Sequence, residues 1–154
     1  MAIAKGIGGG FPLGAILTTA AVGNRMQPGS HGSTYGGNPL ACAVGSAVLQ
    51  EVQAAGFLAQ VQDSAVYFRQ NLARLLDENS EIFADLRGLG LMIGMQCRIA
   101  NNVVVAALRD ENLLAVGAGD NVLRILPPLN VTQEEIDTAI AALERACAKL
   151  RAGA

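Results

Sequence analysis

Apolar positions along this chain change their spacing near residue 38 and again near residue 80. Before residue 38, "MAIAKGIGGGFPLGAILTTAAVG" sets short apolar runs between glycines and carries no helical period. Runs of that length predict a buried strand ending at Ala4 and a second short strand within "GAILTTAAVG", followed by a turn. From Pro39 the period becomes four. Leu40, Val44, Val48 and Val52 mark one buried face of a helix that Asn38 caps and Pro39 begins. Leu58, Val61, Ala65, Phe68, Leu72 and Leu75 then alternate three and four apart, which predicts a long helix over about residues 57–78.

The pattern beyond that helix mixes both periods. "FADLRGLGLMIGMQCRI" carries strand signals interrupted by Gly88 and Gly90, and "NNVVVAALRDEN" reads as a helix. "LLAVGAG" and "VLRILPP" are short strands around a turn at Gly119, Asp120 and Asn121. "VTQEEIDTAIAALERACAKLRAG" closes the chain as a helix, with Thr132 and Glu135 as a capping box and Val131 and Ile136 as its staple. Ile136, Ile140, Leu143, Cys147 and Leu150 form the apolar stripe, and Lys149 and Arg151 complement the negative C-terminal end. The expected organisation is residues 1–79, ending in the long helix, followed by a small α+β unit over residues 80–154.

Composition sharpens this picture. Of 154 residues, 51% are hydrophobic and 16% charged, more apolar than a free-standing domain of this size requires. The excess implies apolar surface for a partner subunit or for a further part of the same polypeptide. A net charge of −2 argues against nucleic acid and anionic membrane surfaces as partners. No apolar run is long enough for a membrane span, and the N-terminus lacks the features of a signal peptide. Cys42, Cys97 and Cys147 are an odd, widely spaced trio without a C-x-x-C pair. Neither a disulfide framework nor a metal site is expected, and reduced thiols of a cytoplasmic protein fit best.

Three places hold candidate chemistry. Lys5 is the sole charge in the first fifteen residues, set between an apolar strand end and a run of glycines. A lysine amine attacks a carbonyl only when unprotonated, and a dry setting favours that state. The alternative is a lysine snorkelling from a strand end, which spacing alone favours. The glycines match neither the G-K-[ST] of a phosphate loop nor G-x-G-x-x-G, so plain turns compete with a cofactor cradle. In "GSHGSTYGGNP", Ser30, Ser33, Thr34 and Tyr35 set hydroxyls before a helix N-terminus, where an anion is favoured; a polar surface loop explains them equally well. His31, the only histidine, has no triad partner nearby. Arg124 lies among apolar neighbours and requires a partner, either an internal carboxylate or that of a substrate, and Arg87 is ambiguous in the same way.

Taken in order, "AKGIGGGFPLGA", "GSHGSTYGGNPLACAV", "RGLGLMIG" and "GDNVLRILPPLNVT" resemble the C-terminal part of a class-III pyridoxal-phosphate aminotransferase. The resemblance covers essentially the whole chain. It implies an α/β fold of type I, with the last part of the large α/β domain over residues 1–79 and the small α+β C-terminal domain over residues 80–154. It also implies that Lys5 forms the Schiff base with pyridoxal phosphate. Thr34 would bind the phosphate of the cofactor held by the partner subunit, Ser33 would lie beside the substrate, and Arg124 would grip a substrate carboxylate. A homodimer with its site at the subunit interface follows.

The implied reaction moves an amino group from N2-acetylornithine to 2-oxoglutarate in arginine biosynthesis. Ornithine, succinylornithine and 4-aminobutyrate are alternative donors. The family's first phosphate-binding glycine loop, its ring-stacking aromatic residue and its pyridinium-binding aspartate precede the lysine and have no counterpart here. The resemblance therefore implies a fragment, with Met1 an internal methionine. Such a fragment is expected to have little activity and to self-associate, an association module in the limiting case.

Overall fold

The computed structural model describes residues Met1–Gly153, and its chain divides into two compact units, Met1–Leu58 and a second from Ala59 onward. In the first, strand β1 (Ala2–Ala4) pairs antiparallel with β2 (Gly14–Ile16), placing Ala4 opposite Gly14. Between them Lys5–Gly8 form a 3-10 turn. A short helix, α1 (Ala20–Gly23), follows where only a turn is expected from sequence.

Helix α2 (Pro39–Gln53) begins as predicted. Asn38 Oδ1 accepts the Ala41 amide at 2.8 Å, and Pro39 occupies a first-turn position that needs no N–H. Its inner face is shifted from the expected one. Ala41 and Gly45 are buried and Val44, Val48 and Val52 half-buried, but Leu40 is 61% exposed. Small residues win the inner positions because Gly45 lies against Leu13, where even a Cβ would approach Leu13 Cδ2 to 2.7 Å.

The second unit holds the core. Helix α3 (Phe57–Glu78) matches its predicted span, and Ala65, Phe68, Leu72 and Leu75 are buried along the predicted seam. Strands β3 (Phe83–Leu89), β4 (Met92–Cys97), β5 (Val116–Ala118) and β6 (Val122–Ile125) form one antiparallel sheet in the order β3-β4-β6-β5. Helices α4 (Asn101–Asp110) and α5 (Gln133–Ala152) complete the unit.

One apolar cluster joins Phe68, Leu72 and Leu75 of α3 to Val104 and Leu108 of α4, Ile136 and Leu143 of α5, and Ile93, Met95, Leu123 and Ile125 of the sheet. Burial of each large side chain contributes roughly 1.5–3 kcal/mol. Because α3 buries its seam here, the division falls near residue 58, where sequence places it near residue 80. Arg69 of α3 adds polar anchoring, donating to the Leu86 carbonyl at 3.0 Å and the Gly88 carbonyl at 3.4 Å.

Alternation in the strands leaves the other sheet face open. Ile93, Met95 and Cys97 point into the core, whereas Met92, Gly94 and Gln96 face away, and Leu89, Met92 and Val116 are exposed. The β3–β4 hairpin turns at Gly90 and Leu91, and in the strand just before it Gly88 has φ 129°, where a Cβ would stand 2.1 Å from the Met92 carbonyl oxygen. Only glycine fits there. No single helix among the described residues is long and apolar enough to cross a membrane.

Candidate active site

Strand β1 delivers the chain to Lys5, and the glycines then fold it back. The Gly9 amide donates to the Gly6 carbonyl at 3.1 Å and the Phe11 amide to the Gly8 carbonyl at 2.8 Å. Lys5 itself has φ +58°, a left-handed conformation that costs a non-glycine residue about 1–2 kcal/mol. Outliers of this kind cluster at functional sites, where geometry rather than stability is selected. Lys5, Gly6, Gly10, Phe11, Pro12, Leu13 and Gly14 line an open concavity of about 670 Å³. No carboxylate is among these residues, so nothing in the lining competes for the ammonium.

The expected dry setting is absent. Lys5 is exposed, and the only buried residues in the first unit are Gly8, Ala41 and Gly45. A strand end and a glycine loop supply shape without cover, because glycines bring no side chains to exclude water.

Ser33 and Thr34 lie in the turn before α2 and are exposed. The Gly36 amide donates to the Ser33 carbonyl at 3.3 Å, while Asn38 commits its side chain to Ala41 N–H and the Tyr35 carbonyl. Neither the Ser33 nor the Thr34 hydroxyl has a partner among the described residues. Ser30 differs: its hydroxyl accepts the Gln27 amide at 3.0 Å and so serves the local turn. His31 is exposed in the same loop. Ser33 and Thr34 do not line the concavity of Lys5, so the hydroxyls and the amine form separate groups within this unit.

Arg124 sits on β6 in the second unit. Strand register places it opposite Gly94 of β4, and Gly94 in turn opposite Arg87 of β3. Both arginines therefore stand on the open face, flanking a residue without a side chain. They line a concavity of about 400 Å³ with Leu89, Met92, Ala118 and Val122. Neither forms an ion pair among the described residues. Arg87 Nη2 donates to Gln96 Oε1 at 2.8 Å, and Gln96 donates to the Asp120 carbonyl. The internal carboxylate that sequence weighed as a partner for Arg124 is not there.

A family model for class-III aminotransferases matches residues 1–147. The chain belongs to the class-III aminotransferase family. It is 52% identical over 150 residues to the acetylornithine aminotransferase of Brucella melitensis, covering 97% of this chain and 37% of that protein. It is 58% identical over 142 residues to that of Mesorhizobium japonicum, covering 91% and 35%. Among solved structures, the ornithine aminotransferase of Toxoplasma gondii aligns with TM-score 0.89 and 29% identity over 99% of this chain and 37% of that one. The N-acetylornithine aminotransferase of Stenotrophomonas maltophilia aligns with TM-score 0.84 and 32% identity over 99% and 40%. The chain thus spans little more than a third of the curated relatives it matches.

Class-III aminotransferases depend on pyridoxal phosphate, and the fold is a partial α/β aminotransferase fold of that group. The residues present fit the cofactor. An amine at a glycine-walled concavity suits an aldehyde on a flat ring, and unpartnered hydroxyls ahead of a helix suit a phosphate. Sequence reasoning missed Gly94 and Gln96, because only strand register brings them beside Arg87 and Arg124.

Proposed function

We propose that this chain supplies the lysine, hydroxyl and arginine groups of an aminotransferase that moves an amino group from N2-acetylornithine to 2-oxoglutarate. The observation that carries the reading is Lys5, an isolated amine held at φ +58° on the rim of a glycine-walled concavity. Relatives named acetylornithine aminotransferase support the donor and a place in arginine biosynthesis. Ornithine, succinylornithine and 4-aminobutyrate are the competing donors.

When bound, pyridoxal phosphate supplies an aldehyde and an electron-withdrawing ring that stabilises negative charge on the donor α-carbon. Lys5 Nζ is the amine that would hold the cofactor, and as a free amine it would take the proton from the donor α-carbon. Thr34 offers its hydroxyl to the phosphate of the cofactor in a second copy, which accounts for its absence from the concavity of Lys5. Ser33 lies beside the substrate of that same copy. Arg124 orients the donor through paired hydrogen bonds to its carboxylate. This division of labour calls for a homodimer, which we place in the cytoplasm.

A second reading, an association module without turnover, is favoured by one observation. The first unit exposes Ile16, Leu17, Val22, Leu40 and Leu49 while burying few residues. Apolar surface of that kind marks an interface.

Glutamate production separates the readings. The purified chain is incubated with pyridoxal phosphate, 2-oxoglutarate and each of the four donors in turn. For a chain that spans 37% of such a relative the proposal expects a low rate, highest with N2-acetylornithine and absent for Lys5→Ala. A faster rate with another donor overturns the donor assignment. Absence of turnover together with self-association leaves the module.

A further inference from the structure

We infer that Arg87 is a second carboxylate-binding arginine, acting with Arg124 on one carboxylate in the concavity that both line. The inference rests on the proposed role of Arg124 and extends it to a residue to which that reading gives no task.

Three observations converge. Register puts Arg87 and Arg124 on either side of Gly94 and on the same sheet face. Their Cα atoms are two strand spacings apart, about 9.5 Å. Gly94 puts no side chain of its own between them, so Val122 and the Arg87 stem pack directly over it: a Cβ there would meet Val122 Cγ1 at 2.9 Å and Arg87 Cγ at 3.7 Å. Arg87 thus lays its aliphatic stem against the glycine and carries its guanidinium to Gln96 of β4, while both arginines line the same concavity.

Gln96 fixes the Arg87 guanidinium in place. Its Oε1 accepts from Arg87 Nη2 at 2.8 Å, and its own amide is tethered to the Asp120 carbonyl. That bond occupies one of the five guanidinium N–H groups and leaves the others available. The third observation is charge. The residues lining the concavity are Arg87, Arg124, glycine, alanine and apolar side chains, with no carboxylate among them. Asp85 stands opposite Gln96 on β3, but it neither lines the concavity nor pairs with either arginine. Two cations facing one apolar hollow repel each other until an anion enters, and a planar carboxylate matches the guanidinium fork. Leu89, Met92 and Val122 would receive the aliphatic part of such a ligand.

The test is a titration of the full chain with propionate, followed by the backbone amide of Gly94 and the arginine Nε–Hε signals in 1H–15N NMR. Propionamide, of similar shape but uncharged, is the control. Wild type is expected to respond to propionate alone, at Gly94 and at both arginines. Arg124→Gln and Arg87→Gln should each weaken binding about tenfold, as loss of a charge-assisted bond implies. Arg87→Lys should recover part of the loss by restoring the charge without the fork. Unchanged thermal midpoints for these surface variants exclude unfolding as the cause.

If Arg124→Gln weakens binding and Arg87→Gln does not, the two-arginine site is wrong and the role of Arg124 stands. If neither variant matters, or wild type ignores propionate, both are overturned.

Discussion

Asn121 Oδ1 accepts the backbone N–H of Asn101 at 2.8 Å, so the turn before β6 is bonded to the first residue of α4. The Asn121 amide also donates to the carbonyls of Cys97 and Ile99, each at 2.8 Å. One side chain thereby ties the end of β4, the start of α4 and the strand that bears Arg124. Asn121 makes these bonds from φ 57°, which asparagine tolerates better than most residues. Asn121→Ala is expected to cost about 2–3 kcal/mol, from roughly 1 kcal/mol for each bond lost. Urea denaturation measures it, and Asn121→Asp should fall between, keeping the acceptor and losing the donors.

The β3–β4 hairpin gives a sharper expectation. Gly88→Ala would press a methyl group to 2.1 Å from the Met92 oxygen in a backbone conformation that alanine avoids. A loss of about 3 kcal/mol follows, with the hairpin bearing Arg87 distorted. Gly90→Ala serves as the comparison, since its Cβ would meet nothing within 4 Å and only the φ of 56° resists it. The smaller thermal shift should belong to Gly90→Ala.

Acid stability should depend on Glu111. Lys149 and Arg145 of α5 both bond its carboxylate, Arg145 Nε at 2.5 Å, and they hold its pKa below the usual carboxylate range. A depressed folded-state value means that the contribution is present above the ordinary carboxylate pKa and is lost as pH falls through the lowered one. Glu111→Gln should therefore destabilise at neutral pH. The gap from wild type should narrow as pH falls through the acid range. Denaturation midpoints at several pH values measure this, and a constant gap would contradict it.

The three cysteines should differ in reactivity. Cys42 is exposed, whereas Cys97 and Cys147 are buried and burial raises both thiols, Cys147 to about 11. A thiolate is the reactive form, so the native chain should titrate one thiol rapidly with Ellman's reagent and all three in denaturant. Fast native reaction of a second thiol would show that the core around Cys97 or Cys147 opens. Because the folded value is raised, the stability associated with Cys147 is present below about 9 and declines as pH climbs toward 11.

Local signals were legible in sequence wherever one element satisfied itself. The α3 seam from Ala65 to Leu75 and the capping box of Thr132 and Glu135 appear where spacing puts them. Leu40 was misread, since periodicity alone does not reveal that the Leu13 contact selects small residues for the inner face of α2. Lys5 was legible as an isolated amine, but its exposure was not, because water exclusion depends on residues distant in sequence. The alignment of Arg87, Gly94 and Arg124 is set by strand register, which no local window contains.

Lys5 remains the side chain on which the account turns, and the chain offers it few competitors. There are two lysines, Lys5 and Lys149; Lys149 is paired with Glu111, and the Met1 amine donates to the Leu17 carbonyl at 2.7 Å. Pyridoxal phosphate added at a one-to-one ratio, trapped with borohydride and mapped by peptide mass, reads out which amine captures it. The label is expected on Lys5, with little on Lys149 or Met1. Equal labelling of all three amines, or a preference for Lys149, would contradict the assignment of Lys5 as the cofactor-binding amine.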